Sequence, residues 1–162
     1  MRAKSPATHR LPLRLLRDER GASAIEFALV GPMVFILILG TVEVALDMIV
    51  DASVQFAAQQ ASRAGLTTAN PTSGTRDAAA RQTIDNILGG WVRMGGTVTI
   101  QTRAYSTYND IATNNYQSTM GGFGDVVTYN VSLTMPSFSG IPKLFGIDTL
   151  TFQRNYLVQN EK

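Results

Sequence analysis

Carboxylates are the residues through which this 162-residue sequence could do chemistry, and their placement says what kind. Glu26 stands directly before FALVGPMVFILILGTV, residues 27–42, a run with no charged side chain. A lone carboxylate inside a membrane costs roughly 2.5–3.5 kcal/mol, so Glu26 needs a cationic partner or a watery edge. Glu43, Asp47 and Asp51 follow at intervals of four and share one side of a helix. Asp77, Asp85, Asp110, Asp125 and Asp148 fall among predicted caps and turns, the ordinary use of aspartate. With no cysteine there is no disulfide, thiolate metal site or thiol nucleophile. The stretch around Asn109, Asp110, Asn114 and Asn115 lacks the alternating acidic oxygens and closing glutamate of a calcium loop. Gly121, Gly122 and Gly124 are not followed by the Lys and Ser or Thr of a phosphate loop. Nothing in this placement favours paired-carboxylate catalysis.

The element that must position Glu26 is the apolar run. Twenty helical residues rise about 30 Å, the thickness of a bilayer core, and the apolar character continues past Glu43 to Leu46. Charge orients it. Arg2, Lys4, Arg10, Arg14, Arg17 and Arg20 against Asp18 and Glu19 give the first twenty residues +4; with a chain total of +2, residues 21–162 carry −2. No Lys or Arg occurs between Arg20 and Arg63, which predicts a cytoplasmic N-terminus and an exported C-terminal part. The pI near 9.2 therefore reflects a basic leader and not a basic folded face, so no nucleic-acid partner is expected. A secretory signal would have a short basic region and a cleavage site after its apolar core. Here the small Gly21 lies before the core, followed by Ala22, Ser23, Ala24, Ile25, Glu26 and Phe27.

Glycine, four residues, glutamate and an aromatic ahead of an apolar helix resembles the recognition sequence of a prepilin peptidase. Extended over residues 20–65, with Pro32 early in the run, Gly40 and Glu43 after it, and an alanine-rich stretch ending at Arg63, the sequence resembles the TadE-like family. These are pilin-like components of tight-adherence (Flp, type IVc) pilus systems. The resemblance implies cleavage between Gly21 and Ala22 by the prepilin peptidase, giving a basic leader at 1–21, a transmembrane and stalk helix at 22–65 and an exported head at 66–162. It also implies a partner for Glu26: the new α-amino group of Ala22, on a neighbouring subunit or on the same chain, would meet the carboxylate and set subunit register with Phe27. The alternative is that Glu26 reaches the headgroup level unaided. With the leader removed, His9 goes too, and neither a histidine metal site nor a Ser-His-Asp triad can be built.

Beyond the membrane the helix continues. Val42, Ala45, Ile49, Ala52 and Phe56 recur at intervals of three and four and form an apolar side, which leaves Glu43, Asp47 and Asp51 for a solvated side or for cations of another protein. Gly31, Pro32, Gly40 and Glu43 are candidate helix-contact or kink positions, since small residues permit close approach and Pro32 removes a donor. Gly65 is expected to end the helix in a left-handed conformation. Residues 66–76 read as a linker. A second helix follows, with Asp77 in its first turn, Ile84, Ile87, Leu88 and Trp91 on one face, and Gly89 with Gly90 as a stop. Trp91 is a core anchor or a carbohydrate platform. Alternation predicts strands at 97–105, 125–135 and 149–158. Residues 106–124 read as a long loop, either a contact surface or a flexible edge, and 136–148 as an irregular connection docked on the core through Phe138, Ile141, Leu144 and Phe145.

The expected fold is α+β and pilin-like: a long N-terminal membrane and stalk helix, then a small head with one helix and a three- to four-stranded antiparallel sheet. The expected function is that of a minor pilin or pseudopilin, not an enzyme, with no cofactor. Its implied partners are the membrane, the prepilin peptidase, other pilin-like subunits and the tight-adherence assembly machinery. The implied place is the bacterial inner membrane, single pass, with the head periplasmic or carried into an extracellular pilus. The rival reading is a single-pass anchored envelope protein whose head binds a surface ligand without polymerising.

Overall fold

The computed structural model describes residues 19–66 and 71–161. The leader up to Asp18 and residues 67–70 of the linker lie outside the described residues. The chain divides into a first unit ending at Leu39 and a second from Gly40 onward. The long helix α1 (Glu19–Gly65) begins in the first and ends in the second.

In the first unit, Ser23 to Leu39 is exposed at every position except Gly31. A helix satisfies its own backbone groups, so such a segment is stable in hydrocarbon, where an open strand would not be. Pro32 sits inside it without interrupting the helix. The ring of Phe27 covers Gly31, 3.7 Å from where a β-carbon would stand.

The second unit builds its head on the remainder of α1. Helix α2 (Arg76–Arg93) starts where the Thr75 side chain accepts from the Ala78 N–H at 3.2 Å, and Ala80, Ile84 and Leu88, spaced by four, are buried. Gly89 and Gly90 do not stop it. Each glycine costs about 1 kcal/mol against alanine in a helix interior, but continuing to Arg93 brings Trp91 edge-on to Phe138, ring centroids 6.1 Å apart, against the core. Trp91 is thus a core anchor.

Three antiparallel strands follow in the order β1 (Thr97–Tyr105), β2 (Val126–Pro136), β3 (Thr149–Gln159). Every second residue of the central strand, Val127, Tyr129, Val131, Leu133 and Met135, is at most 2 % exposed. Each fully buried side chain of this size contributes about 1.5–3 kcal/mol. Register puts Val98, Leu133 and Phe152 abreast on the inner face, and Thr97, Thr134 and Thr151 abreast on the outer, where the hydroxyls of Thr134 and Thr151 meet at 2.8 Å. One face is packed and one is wet.

The segment 106–124 is not a structureless loop. It holds the short helix α3 (Tyr108–Thr113), opened by a capping box of Thr107 and Asp110. Gln117 pairs with Ala104, Tyr116 lies against Tyr105 and under the Arg103 guanidinium, and Met120 is buried. Arg76 donates to the carbonyls of Met120 and Gly121 at 2.8 and 2.6 Å, and the Asn160 amide to those of Met120 and Gly122 at 2.7 and 3.0 Å. These bonds satisfy loop carbonyls that would be costly to leave buried and unpaired. In the connection 136–148, Phe138 docks as expected, but the turn of α4 (Ile141–Leu144) turns Leu144 and Phe145 outward.

Gly65 is the last residue of α1, and glycine stands there for a different reason from the one its type suggests. It is not in the left-handed region; a β-carbon there would stand 2.0 Å from the Tyr129 hydroxyl and 2.6 Å from the Met120 methyl. Close approach, not backbone freedom, requires the glycine.

Candidate assembly surface

Past Gly40, α1 has two sides that share almost no residues. One side meets the head: Val50, Val54, Ala57, Ala58 and Ala61 are at most 1 % exposed. Glu43 heads that side at 3 % exposure. Its carboxylate accepts the Phe138 N–H at 2.9 Å and the Ser139 N–H at 2.5 Å. Asp51, two turns on, pairs with Arg154 of β3. The expectation that Glu43, Asp47 and Asp51 face water is therefore overturned. The acidic side lies along the head, Glu43 buried and Asp51 partly exposed, and the partners of both belong to the same chain.

The apolar side is the one left open. Val42, Ile49 and Phe56 are 50–53 % exposed, and Ala45 and Ala52 are exposed as well. An amphipathic helix normally buries its apolar stripe. Here a stripe of two large aliphatic side chains, two alanines and a phenylalanine remains for something other than the chain's own head.

Electrostatics distinguishes the first two acids. Burial pushes the Glu43 carboxyl up, but the bonds from the Ser139 hydroxyl and amide and the Phe138 amide outweigh it, and the net shift is below the ordinary carboxylate value. Asp47, one turn on, is pushed up by burial and by the Glu43 charge, and its Oδ1 is buried without a hydrogen bond. At the far end of the head, burial beneath Met120 and Gly65 raises the Tyr129 hydroxyl to about 12. That group stays a neutral packing element at physiological pH.

The residues picked out at the head of α1 stand as follows. Gly21 and Ala22 lie in its first turns, and Glu26 follows Ala22 by four residues along the helix. Glu26 and Phe27 are exposed, and among the described residues no hydrogen bond or ion pair engages Glu26. Glu43, chosen as a helix-contact or kink position, is brought to the Phe138–Ser139 backbone. Gly40 has nothing within 4 Å of its would-be β-carbon. The amide pair escaped sequence reading because backbone donors carry no residue-type signature, and Arg154 because it lies 103 residues from Asp51. The signal that existed was the demand of Glu43 itself for a partner so close to an apolar run.

The family model for TadE-like protein matches residues 21–63. That segment is similar to the TadE-like family. It covers a little over a quarter of the chain and stops two residues before α1 does, so it contains both sides of the stalk and none of the strands. No curated protein and no solved structure matches the chain. The TadE-like match joins the one helix among the described residues that is long and apolar enough to cross a membrane, and together these fit a pilin-like component with a membrane anchor.

Proposed function

We propose that the protein is a minor pilin or pseudopilin of a tight-adherence pilus, freed of its leader by cleavage after Gly21 and assembled sideways through α1. The observation that carries this reading is the stripe Val42, Ile49 and Phe56, uncovered on a TadE-like segment whose opposite side is already occupied by its own head. A helix that presents apolar surface along one side has the form of a subunit awaiting neighbours. Cleavage would leave the Ala22 amine one turn from Glu26, and a cation facing the fifth-position carboxylate would fix axial register. The protein then initiates or stabilises the filament and turns over no substrate.

The test is processing. Gly21→Leu should abolish leader removal, so that the full-length chain accumulates in the membrane fraction, while the unaltered chain yields a mature N-terminus at Ala22 on mass spectrometry. A mature terminus at Ala22 in the Gly21→Leu variant, or an intact leader in the unaltered protein of a piliated cell, would overturn the proposal.

A further inference from the structure

The most exposed large apolar side chains among the described residues are not in the membrane run. They are Phe145 and Leu144, at 76 % and 75 %, with Ile147 at 45 %. They stand on a built turn. Gly140 and Gly146 adopt φ of 71° and 79°, which only glycine takes without strain, and the Phe145 and Ile147 N–H groups donate to the Pro142 carbonyl at 3.0 and 3.1 Å. An apolar pair on a disordered loop is common; one held outward by two left-handed glycines is presented.

The position of the turn says to what. The residues leading into it, Phe138 and Ser139, bond Glu43, and Glu43 follows Val42, the last residue of the uncharged stretch, three residues before the apolar character ends at Leu46. At 1.5 Å of rise per residue, the carboxylate stands within one turn of the end of the run. The opposite end of the head is far along the stalk, where Glu161 N–H meets the Leu66 carbonyl and Tyr129 meets Gly65. At the Glu43 end the turn after α2 adds Met94, 53 % exposed, and Arg93, while Lys143 sits within the turn itself. Asp148 is the acid that follows the turn in sequence. Apolar side chains interleaved with cations are what the headgroup and acyl boundary of an anionic bilayer accepts, with apolar groups sinking about 5–10 Å.

We infer that the 140–147 turn dips into the outer-leaflet surface of the bilayer and seats the head there, Leu144 and Phe145 entering the acyl boundary and Lys143 remaining among the phosphates. The inference rests on the reading of the apolar run as a bilayer span, and the experiment separates the two. The chain has no cysteine, so Phe35→Cys, Phe123→Cys and Phe145→Cys each give a single site for a bimane label in the full-length protein. Each is reconstituted in phosphatidylethanolamine and phosphatidylglycerol vesicles carrying doxyl-labelled acyl chains, and each replaces an exposed side chain, so folding is preserved.

Lipid quenching at 145 should approach that at 35 and exceed that at 123, which lies at the opposite end of the head, several-fold. Quenching at 35 with none at 145, where aqueous iodide quenches instead, overturns the seated turn and leaves the span standing. A label at 145 shielded from both doxyl lipid and iodide assigns the turn to a second copy of the chain and also overturns it. Absence of lipid quenching at 35 removes the span and the inference together.

Discussion

The two sides of α1 beyond Gly40 differ in a way that inverts their chemistry: the side with three acids is the one against the head, and the side with Val42, Ile49 and Phe56 is the open one. Burial of a helix face is decided by what is brought to it. Val50, Val54, Ala57, Ala58 and Ala61 supply the hydrophobic area, and Glu43 is tolerated at their head because two N–H groups come with the docking surface. A buried carboxylate with two charge-assisted donors can be held at little net cost; one without them cannot.

That contrast can be broken most forcefully by placing the same charge on either side. Val54→Asp puts an uncompensated carboxylate in the head core and should cost of the order of 3–5 kcal/mol. Ile49→Asp should change the head's own stability by no more than about 0.5 kcal/mol while abolishing lateral crosslinking between copies in the membrane. Urea unfolding of each variant in detergent, read beside crosslinking in cells, checks both halves; equal loss of stability in the two would erase the distinction between the sides.

A smaller effect sharpens it. Glu43→Ala strands the Phe138 and Ser139 N–H groups, and leaving buried donors unpaired costs about 1–3 kcal/mol. Hydrogen exchange should report the loss first at those two amides, with the amides around Met120 at the far end of the head unchanged. Uniform acceleration across the head would show that Glu43 is not a local clamp.

The smallest effect has the opposite sign. Asp47 sits one turn from Glu43, and like charges at that spacing oppose a helix by about 0.2–0.5 kcal/mol. Asp47→Asn should therefore stabilise the head at neutral pH. The folded-state pKa of Asp47 lies above its unfolded value, so its charge costs stability above that folded pKa and the cost vanishes once pH falls below the unfolded one. The gain from asparagine should accordingly be full near pH 7 and fade on acidification. Glu43 runs the other way: its depressed pKa gives stability that is present above the unfolded value and lost as pH falls through the folded one. Melting temperatures of the two proteins across pH 3–8 separate these slopes, and a gain that grows on acidification would contradict the assignment.

Much of the fold was legible because its signals are local. The alternation of Val127, Tyr129, Val131, Leu133 and Met135 reads directly as a half-buried strand, and observed strand ends fall within one residue of those expected. What was not legible depends on partners far along the chain. Glu43 finds its donors 95 and 96 residues away and Asp51 its cation 103 away, so an acidic stripe read alone is assigned to water. The Gly89–Gly90 stop failed likewise, because docking of Trp91 on Phe138 outweighs local propensity. The outward Leu144 and Phe145 were read as core since apolar type does not say which surface, protein or lipid, will cover them.

The sequence distance between Glu43 and its amides also sets an order of events in time. A ribosome adding about 5–20 residues per second takes roughly 5–20 s to make the 95 residues separating Glu43 from Phe138. Throughout that interval the helix exists while its clamp does not, so the acid waits in water and closure of the head is among the last steps of maturation.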